Sequence, residues 1–308
     1  MEGQVVLVTG AAGLVGNAIR LRLERRGTTV LPIDRVAHTR DGNATLVCDV
    51  NDVHRLHALA AEYSISGVVH CGAYSGPMVA RDNPTSMIRV NIVGTANILE
   101  LARIHHVPRV VFCSSASVYG NTDGGPVPED VPLFPTSLYG ASKVASEQLV
   151  ASYARQYGVD GVSIRLSWIY GPWRTTDCVI RTMIEDALEE RPTNMPFGRD
   201  FHRQFIHVDD AVDALIAALD TPNLPRLAYT VTGGSYVTLA EVADIVRRVL
   251  PQANIHLESG AAPLDDVQQE FDISAAARDF GFRPAISLEE GIRRYAEWLI
   301  ARKARVAA

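Results

Sequence analysis

Short apolar runs rich in β-branched residues alternate with longer amphipathic stretches through the first half of the chain. The short runs have the length of buried strands, and the longer stretches have apolar positions at helical spacing. This alternation predicts an α/β fold with a doubly wound parallel sheet and helices on both of its faces. The predicted strands are residues 5–9, 29–33, 45–48, 67–70, 110–113 and 162–166, and the predicted helices are residues 16–25, 52–63, 86–104 and 138–157.

After Pro172 the pattern loosens into helices, loops with proline and glycine, and a few short strands. We expect a smaller second lobe there, above the carboxyl edge of the sheet, where ligands bind in such folds. A helix at 211–219 and a strand at 228–231 look suited to rejoin the first domain. The predicted division is therefore residues 1–171 plus about 204–232 for the larger domain, and residues 172–203 and 233–308 for the smaller lobe.

The net charge and the spacing of the cysteines argue against several classes of function. The net charge of -6 gives no support for binding nucleic acid or an anionic membrane surface. The chain begins without a basic leader, and its first apolar run is too short for a membrane span, so we expect a cytoplasmic protein. Cys48, Cys71, Cys113 and Cys178 lack disulfide or zinc spacing, and we expect no metal site.

A glycine-rich turn follows the first predicted strand and opens the first predicted helix. Gly10, Gly13 and Gly16 have the spacing GxxGxxG. Glycines let the backbone approach a pyrophosphate closely, and the amino end of the helix offers free N–H groups and a positive dipole. The pattern predicts a dinucleotide site with contacts from Gly10, Ala12, Gly13, Leu14, Val15 and Gly16.

The residues that end the next strands indicate which dinucleotide binds. Asp34 ends the second strand, where a carboxylate accepts hydrogen bonds from the ribose hydroxyls of NAD and repels the 2′-phosphate of NADP. Arg35 tempers this preference, because a guanidinium can pair with a 2′-phosphate. NAD is therefore the predicted cofactor. Asp49 and Val50 suit the adenine edge, although an aspartate at this position equally suits the cap of a strand or helix. The small Cys71, Gly72 and Ala73 allow close cofactor approach.

Tyr139 and Lys143 lie four residues apart on a predicted helix and so share one face. A phenol with an ordinary pKa near 10 is a weak base at neutral pH, and a nearby ammonium stabilises its deprotonated form. A tyrosine four residues before a lysine also occurs by chance on surface helices. Ser115 favours a catalytic role for this pair over a chance occurrence, because it follows the fifth predicted strand and places a hydroxyl at the same sheet edge.

Taken together, these motifs resemble the extended short-chain dehydrogenase/reductases, also known as the NAD-dependent epimerase/dehydratase family. The resemblance covers nearly the whole chain. The matching stretches are the glycine turn, Asp34, residues 49–50, residues 91–97, residues 114–120, the Tyr139/Lys143 pair, residues 170–172 and residues 205–210.

The resemblance implies a Rossmann-type NAD-binding domain with a substrate-binding lobe. It implies that Tyr139 exchanges the proton, that Ser115 positions the substrate oxygen, and that Lys143 holds the nicotinamide ribose and tunes Tyr139. Asn91 is an implied cofactor contact. It also implies a homodimer, in which residues 86–104 and 138–157 pair across a twofold axis into a four-helix bundle.

Several positions depart from the family pattern. Trp168 stands where sugar-nucleotide enzymes have asparagine, and residues 263–264, Pro263 and Leu264, stand near the second of two arginines, of which Arg203 matches the first. Each lost charge-assisted bond costs about 1.5–3 kcal/mol, which argues against a nucleotide-diphosphate substrate. Residues 116–117 replace the Asp-Glu pair of dehydratases, so dehydration is not expected.

The predicted function is hydride transfer at a secondary alcohol or ketone carbon of a sugar or sugar-nucleotide-like substrate, by an NAD-dependent oxidoreductase/epimerase. The motifs support an epimerase that keeps its NAD and a dehydrogenase that releases NADH about equally. One alternative is a dehydrogenase of a free sugar, sugar acid or polyol, and the other is a redox-sensing NAD-binding regulator without catalysis. The intact Ser115, Tyr139 and Lys143 argue against the regulator. The predicted substrate contacts are Ser75, Ser117, Trp168, Trp173, Arg174 and Arg203.

Overall fold

The computed structural model describes residues 5–40, 43–262 and 265–307. The strands are β1 (Val5–Thr9), β2 (Thr29–Asp34), β3 (Thr39–Arg40), β4 (Asn43–Ala44), β5 (Leu46–Val47), β6 (Ile65–His70), β7 (Val110–Ser115), β8 (Gly161–Leu166), β9 (Trp168–Tyr170), β10 (Thr193–Met195), β11 (His202–His207), β12 (Ala228–Val231), β13 (Tyr236–Thr238) and β14 (Ile255–Leu257). The helices are α1 (Leu14–Arg25), α2 (Val53–Glu62), α3 (Pro84–Ile88), α4 (Gly94–Ile104), α5 (Leu138–Tyr157), α6 (Val179–Leu188), α7 (Val208–Asp220), α8 (Leu239–Val249), α9 (Ser274–Phe280) and α10 (Leu288–Ala307).

Seven strands form one parallel sheet in the order β12-β8-β7-β6-β1-β2-β5. The sheet is covered on both faces, and every residue of β8 is buried. The chain order reverses between β1 and β6, so a crevice opens where the carboxyl ends of these two strands diverge. The predicted fold class, a Rossmann-type doubly wound sheet, is confirmed.

Two apolar clusters hold these layers together, one on each face of the sheet. Ile19 of α1 and Val212 of α7 lie in the cluster on one face of the sheet, and Leu99 of α4 lies in the cluster on the other face. A separate cluster joins α6, α8 and α10 and includes Val246 and Ile292. That separate core supports a second lobe, but the domain boundaries stay a prediction. No helix within the described residues has the length and apolar character that a membrane span requires.

The stretch predicted as one helix over residues 86–104 is interrupted. A π-helical turn, Arg89–Val93, separates α3 from α4. The turn leaves the carbonyl oxygen of Asn91 to accept hydrogen bonds from the hydroxyls of Thr95 and Ser146, at 2.6 and 2.8 Å. Periodicity alone could not predict it, because one extra residue in a turn barely changes the apolar pattern.

Candidate active site

A large cleft of about 540 Å³ lies at the carboxyl edge of the sheet. One wall is built from the ends of β1, β2, β6 and β7, together with the start of α1 and one face of α5. Residues 166–169 and 174–176 also line the cleft. The cleft thus lies at the crevice where this class of sheet binds dinucleotides.

The glycine turn at one end of the cleft cannot accommodate side chains. A Cβ on Gly10 would lie 2.8 Å from the carbonyl carbon of Cys71, and a Cβ on Gly16 would lie 2.2 Å from the carbonyl oxygen of Gly10. Among the described residues, no side chain caps the amino end of α1. The first N–H groups of this helix are therefore available to an anion, and the turn fits the pyrophosphate of NAD.

Asp34 is fixed beside this turn at the end of β2. Its carboxylate accepts hydrogen bonds from the backbone N–H of Ala12 at 3.0 Å and of Val36 at 3.3 Å. Arg35 donates to the hydroxyl of Tyr74 at 2.8 Å, and its guanidinium lies 5.1 Å from the centre of that ring. Asp34 faces the cleft with its charge available to ribose hydroxyls, which fits NAD.

The other predicted cofactor residues divide into two groups. Five of them line the cleft, namely Asp49, Val50, Cys71, Gly72 and Ala73. Asn91 does not line it. Its side-chain amide accepts a hydrogen bond from the N–H of Tyr74 at 2.8 Å and donates to the hydroxyl of Ser142 at 2.9 Å. Asn91 therefore ties the loop at Tyr74 to α5 from behind the cleft wall.

Ser115, Tyr139 and Lys143 all line the cleft. The Lys143 ammonium donates to the carbonyl oxygen of Cys113 at 2.6 Å and lies 5.8 Å from the centre of the Tyr139 ring. The Ser115 hydroxyl accepts from the N–H of Ser117 and lies 3.2 Å from its hydroxyl. Two hydroxyls from β7 and its following turn thus share the cleft with a phenol and a cation.

Behind this group, a buried polar network joins α5 to the sheet. Glu147, one helical turn beyond Lys143, accepts hydrogen bonds from the hydroxyl of Ser114 at 2.5 Å and from the guanidinium of Arg165 at 2.8 Å. Arg165 also donates to the hydroxyl of Tyr119 at 2.8 Å. Because Ser114 precedes Ser115 and Glu147 follows Lys143 on α5, this network holds both sides of the proposed catalytic group in register.

Four of the predicted substrate residues, Ser75, Ser117, Trp168 and Arg174, line the cleft. Trp173 does not line it, and its ring packs against Trp298 with the ring centres 5.0 Å apart.

Arg203 also lies outside the main cleft. It borders a small adjoining cavity of about 10 Å³, stacks 4.5 Å from the centre of the Trp168 ring and forms an ion pair with Asp265. The predicted departure at Pro263 and Leu264 lies outside the described residues.

The structure also brings residues into the cleft that the sequence analysis missed. The main ones are Tyr74, Met78, Thr175, Thr176 and Gln268. Gln268 donates to the carbonyl oxygens of Ala116 and Gly120, at 2.9 and 3.2 Å. It is distant from the motifs in sequence, so no local signal could identify it. Tyr74 had a signal, since it directly follows the small residues 71–73.

Comparisons with known proteins agree with the family resemblance that the motifs indicate. The model of the NAD dependent epimerase/dehydratase family matches residues 6–231. UDP-glucuronate 4-epimerase 4 of Arabidopsis thaliana is 30% identical over 97% of this chain and 76% of its own length. UDP-glucuronate 4-epimerase of Thermodesulfobacterium geofontis is 28% identical, with 95% of both chains covered.

Two solved structures are similar to this chain over nearly its whole length. MoeE5 in complex with UDP-glucuronic acid and NAD has a TM-score of 0.86 and 28% identity, covering 97% of this chain and 100% of that one. The UDP-glucose 4-epimerase of Thermus thermophilus, in complex with NAD, has a TM-score of 0.85 and 27% identity, covering 96% and 99%. These relatives favour the predicted NAD-dependent epimerase over the free-sugar dehydrogenase and the non-catalytic regulator.

The cofactor is NAD, and the predicted reaction type, hydride transfer on a sugar or sugar-nucleotide-like substrate, is confirmed. The chain is an NAD-dependent epimerase that belongs to the NAD-dependent epimerase/dehydratase family of extended short-chain dehydrogenase/reductases.

Proposed function

We propose that this enzyme reversibly inverts the C4 carbon of a UDP-linked hexuronate, with UDP-glucuronate as substrate. The observation that carries the proposal is the placement of Ser115, Tyr139 and Lys143 in the same cleft as the glycine turn and Asp34. The substrate is suggested by relatives named UDP-glucuronate 4-epimerase and by the similarity to MoeE5 in complex with UDP-glucuronic acid. These relatives outweigh the expectation, drawn from Trp168 and residues 263–264, that a nucleotide-diphosphate substrate is disfavoured.

In this proposal Tyr139 exchanges the proton of the reacting hydroxyl, while Ser115 hydrogen-bonds the same oxygen. Lys143 is held in place by the Cys113 carbonyl, with its ammonium 5.8 Å from the centre of the Tyr139 ring. Bound NAD supplies a carbon that accepts a hydride from the sugar and returns it. Once the sugar carbon is a ketone, a turn of the sugar within the cleft presents its other face, and Tyr139 returns the proton to the oxygen.

Arg174 is the cation we assign to an anionic group of the substrate. It lines the cleft, and its guanidinium donates to the carbonyl oxygens of Ile169 and Asp177, which are neutral acceptors. Arg203 differs, because Asp265 already neutralises it. A substrate anion therefore gains more from Arg174 than from Arg203.

A substrate panel tests the proposal. Purified enzyme is incubated in parallel with UDP-glucuronate, UDP-glucose and free glucuronate, while proton NMR follows product stereochemistry and absorbance follows NADH. We expect UDP-galacturonate to form from UDP-glucuronate without accumulation of NADH. Conversion of free glucuronate alone, or stoichiometric NADH with no new stereoisomer, would refute the proposed reaction.

We also propose that the enzyme is a homodimer through a four-helix bundle, to which each protomer contributes two helical segments, the interrupted helix of α3 and α4 and the helix α5. Apolar side chains on these helices are exposed, including Ile88 at 41%, Ile104 at 45% and Tyr157 at 56%. Pairing across a twofold axis would cover them. Sedimentation at micromolar concentration should give a dimer, and a monomer would contradict this. A cytoplasmic location stays a prediction from the sequence.

A further inference from the structure

Two neighbouring cysteines, Cys71 and Cys113, line the NAD cleft. The parallel register of β6 and β7 pairs His70 with Phe112, so Cys71, directly after the end of β6, lies beside Cys113 of β7. Both side chains pack against the same apolar cluster and therefore lie on the same face of the sheet. Both also line the cleft. Two reduced thiols thus lie where the cofactor binds.

The spacing of the two strands suits a covalent link. Neighbouring strands lie about 4.8 Å apart, and disulfides form between Cα atoms about 4.4–6.8 Å apart. Interaction with the neighbouring Cys71 thiol, helped by the Lys143 ammonium, lowers the pKa of Cys113, whereas the Cys113 thiol and burial raise the pKa of Cys71. Cys113 is therefore the thiol better suited to attack an oxidant.

We propose that Cys71 and Cys113 form a redox-sensitive dithiol site, which a peroxide-type oxidant converts to a disulfide when the cleft holds no NAD. The Cys113 thiolate attacks the O–O bond of the peroxide, giving a sulfenic acid and releasing water or an alcohol. The Cys71 thiol then displaces the sulfenic oxygen as water, and the S–S bond forms. One peroxide is reduced and two thiols are oxidised, so atoms and electrons balance.

The disulfide should impair cofactor binding because both cysteines support the cofactor site. The backbone of Cys71 packs closely under Gly10 of the phosphate-binding turn, where a Cβ would be only 2.8 Å away. The carbonyl of Cys113 holds the Lys143 ammonium at 2.6 Å. Drawing the two sulfurs into a bond displaces one or both of these contacts. The inference rests on NAD occupying this cleft and is independent of the identity of the substrate.

The test uses the full chain stripped of NAD and treated with a few equivalents of hydrogen peroxide. We expect peptide mapping after alkylation to find a Cys71–Cys113 disulfide. We expect the oxidised protein to bind NAD at least about tenfold more weakly by calorimetry, with recovery after dithiothreitol. Saturating NAD added before the peroxide should prevent the disulfide.

Variants identify the site. Cys71→Ser and Cys113→Ser should each abolish the reversible, peroxide-dependent change in NAD affinity, each compared with the same variant before treatment. Cys178→Ser, at a cysteine outside the cleft, should keep the wild-type response. Absence of a Cys71–Cys113 disulfide in the oxidised protein without NAD, or an unchanged NAD affinity once it has formed, overturns the inference. Failure of the reduced protein to bind NAD would instead overturn the assignment of the cofactor site.

Discussion

Arg165 and Glu147 form an ion pair inside the protein, with 2.8 Å between Nη2 of Arg165 and Oε2 of Glu147 and side chains that are only 6% and 5% exposed. Arg165 belongs to β8 and Glu147 to α5. The pair therefore anchors the helix that carries Tyr139 and Lys143 to the central sheet. The hydroxyl of Ser114 joins the same carboxylate, so the end of β7 is held as well.

Removal of one partner of this pair should be costly. Glu147→Gln leaves the Arg165 guanidinium buried without its counter-charge, and we expect a loss of about 3–5 kcal/mol in the free energy of unfolding, measured by urea denaturation. Glu289→Gln is the matched control, because its pair with Arg248 is 40% and 56% exposed and should contribute less than about 1 kcal/mol. Equal effects of the two variants would contradict the anchoring role.

His70 should make stability depend on pH. Burial, and secondarily the Lys143 charge, lower the pKa of the His70 ring to about 3, and the ring contacts the hydroxyls of Thr9 and Thr95 at 2.6 and 3.1 Å. The unfolded chain titrates this group near 6.5. Between these two pKa values the unfolded state binds more protons than the folded state. The contribution of His70 to the free energy of unfolding is therefore complete above pH 6.5 and falls as the pH drops toward 3.

The expected slope is up to about 1.4 kcal/mol per pH unit from this one group. Urea denaturation of the wild type and of His70→Asn at several pH values measures it. The variant should be less stable at about pH 7 and should show a shallower decline between about pH 6.5 and 4. Parallel pH profiles for the two proteins would show that His70 is not the group responsible.

Asp34 should determine the choice of dinucleotide. Asp34→Asn removes the charge that repels a 2′-phosphate, so we expect NAD affinity to fall about tenfold and the preference over NADP to shrink. Calorimetric titration with both dinucleotides measures this. Asp52→Asn is the control, since Asp52 caps α2 and does not line the cleft. A preference for NAD that is unchanged in Asp34→Asn would remove the assigned role.

Arg174→Met tests the proposed contact with the substrate. Loss of one charge-assisted contact should raise KM about tenfold or more. A rise for UDP-glucuronate alone would place the hexuronate carboxylate at Arg174, and an equal rise for UDP-glucose would place the diphosphate there. The exposed Arg283, which does not line the cleft, supplies the control Arg283→Met. No change in either KM would contradict the contact.

Much of the fold could be predicted because the apolar pattern and the glycine turn are local signals. The structure gives β1, α5 and β12 the predicted bounds, and β12 adds to the edge of the large sheet beside β8. The π-helical turn at Arg89–Val93 was missed because one extra residue in a turn barely changes the apolar pattern, and because one hydrogen bond to the Asn91 carbonyl comes from Ser146 on α5. Strand β7 was predicted two residues too short because Ser114 and Ser115 are polar.

The residues of the site were also predictable only where local sequence signals determine their positions. Residues at strand ends could be placed in one cleft because parallel strands bring their carboxyl ends to the same edge. Trp173, Arg203 and Asn91 could not be excluded from the cleft by sequence. Their positions depend on long-range partners, such as Trp298 for Trp173 and Asp265 for Arg203. Gln268 was missed for the same reason, since its contact with Ala116 spans 152 positions of the chain.

The most direct test of proton exchange by Tyr139 is the rate of epimer formation by Tyr139→Phe, compared with the wild type and with Tyr157→Phe, a residue that is 56% exposed at the far end of α5. Loss of the acid/base group should lower turnover about 100- to 10,000-fold, while NAD affinity and the melting temperature stay near those of the wild type. Tyr157→Phe should retain its activity. Turnover by Tyr139→Phe within a few-fold of the wild type, with NAD still bound, would contradict proton exchange by Tyr139.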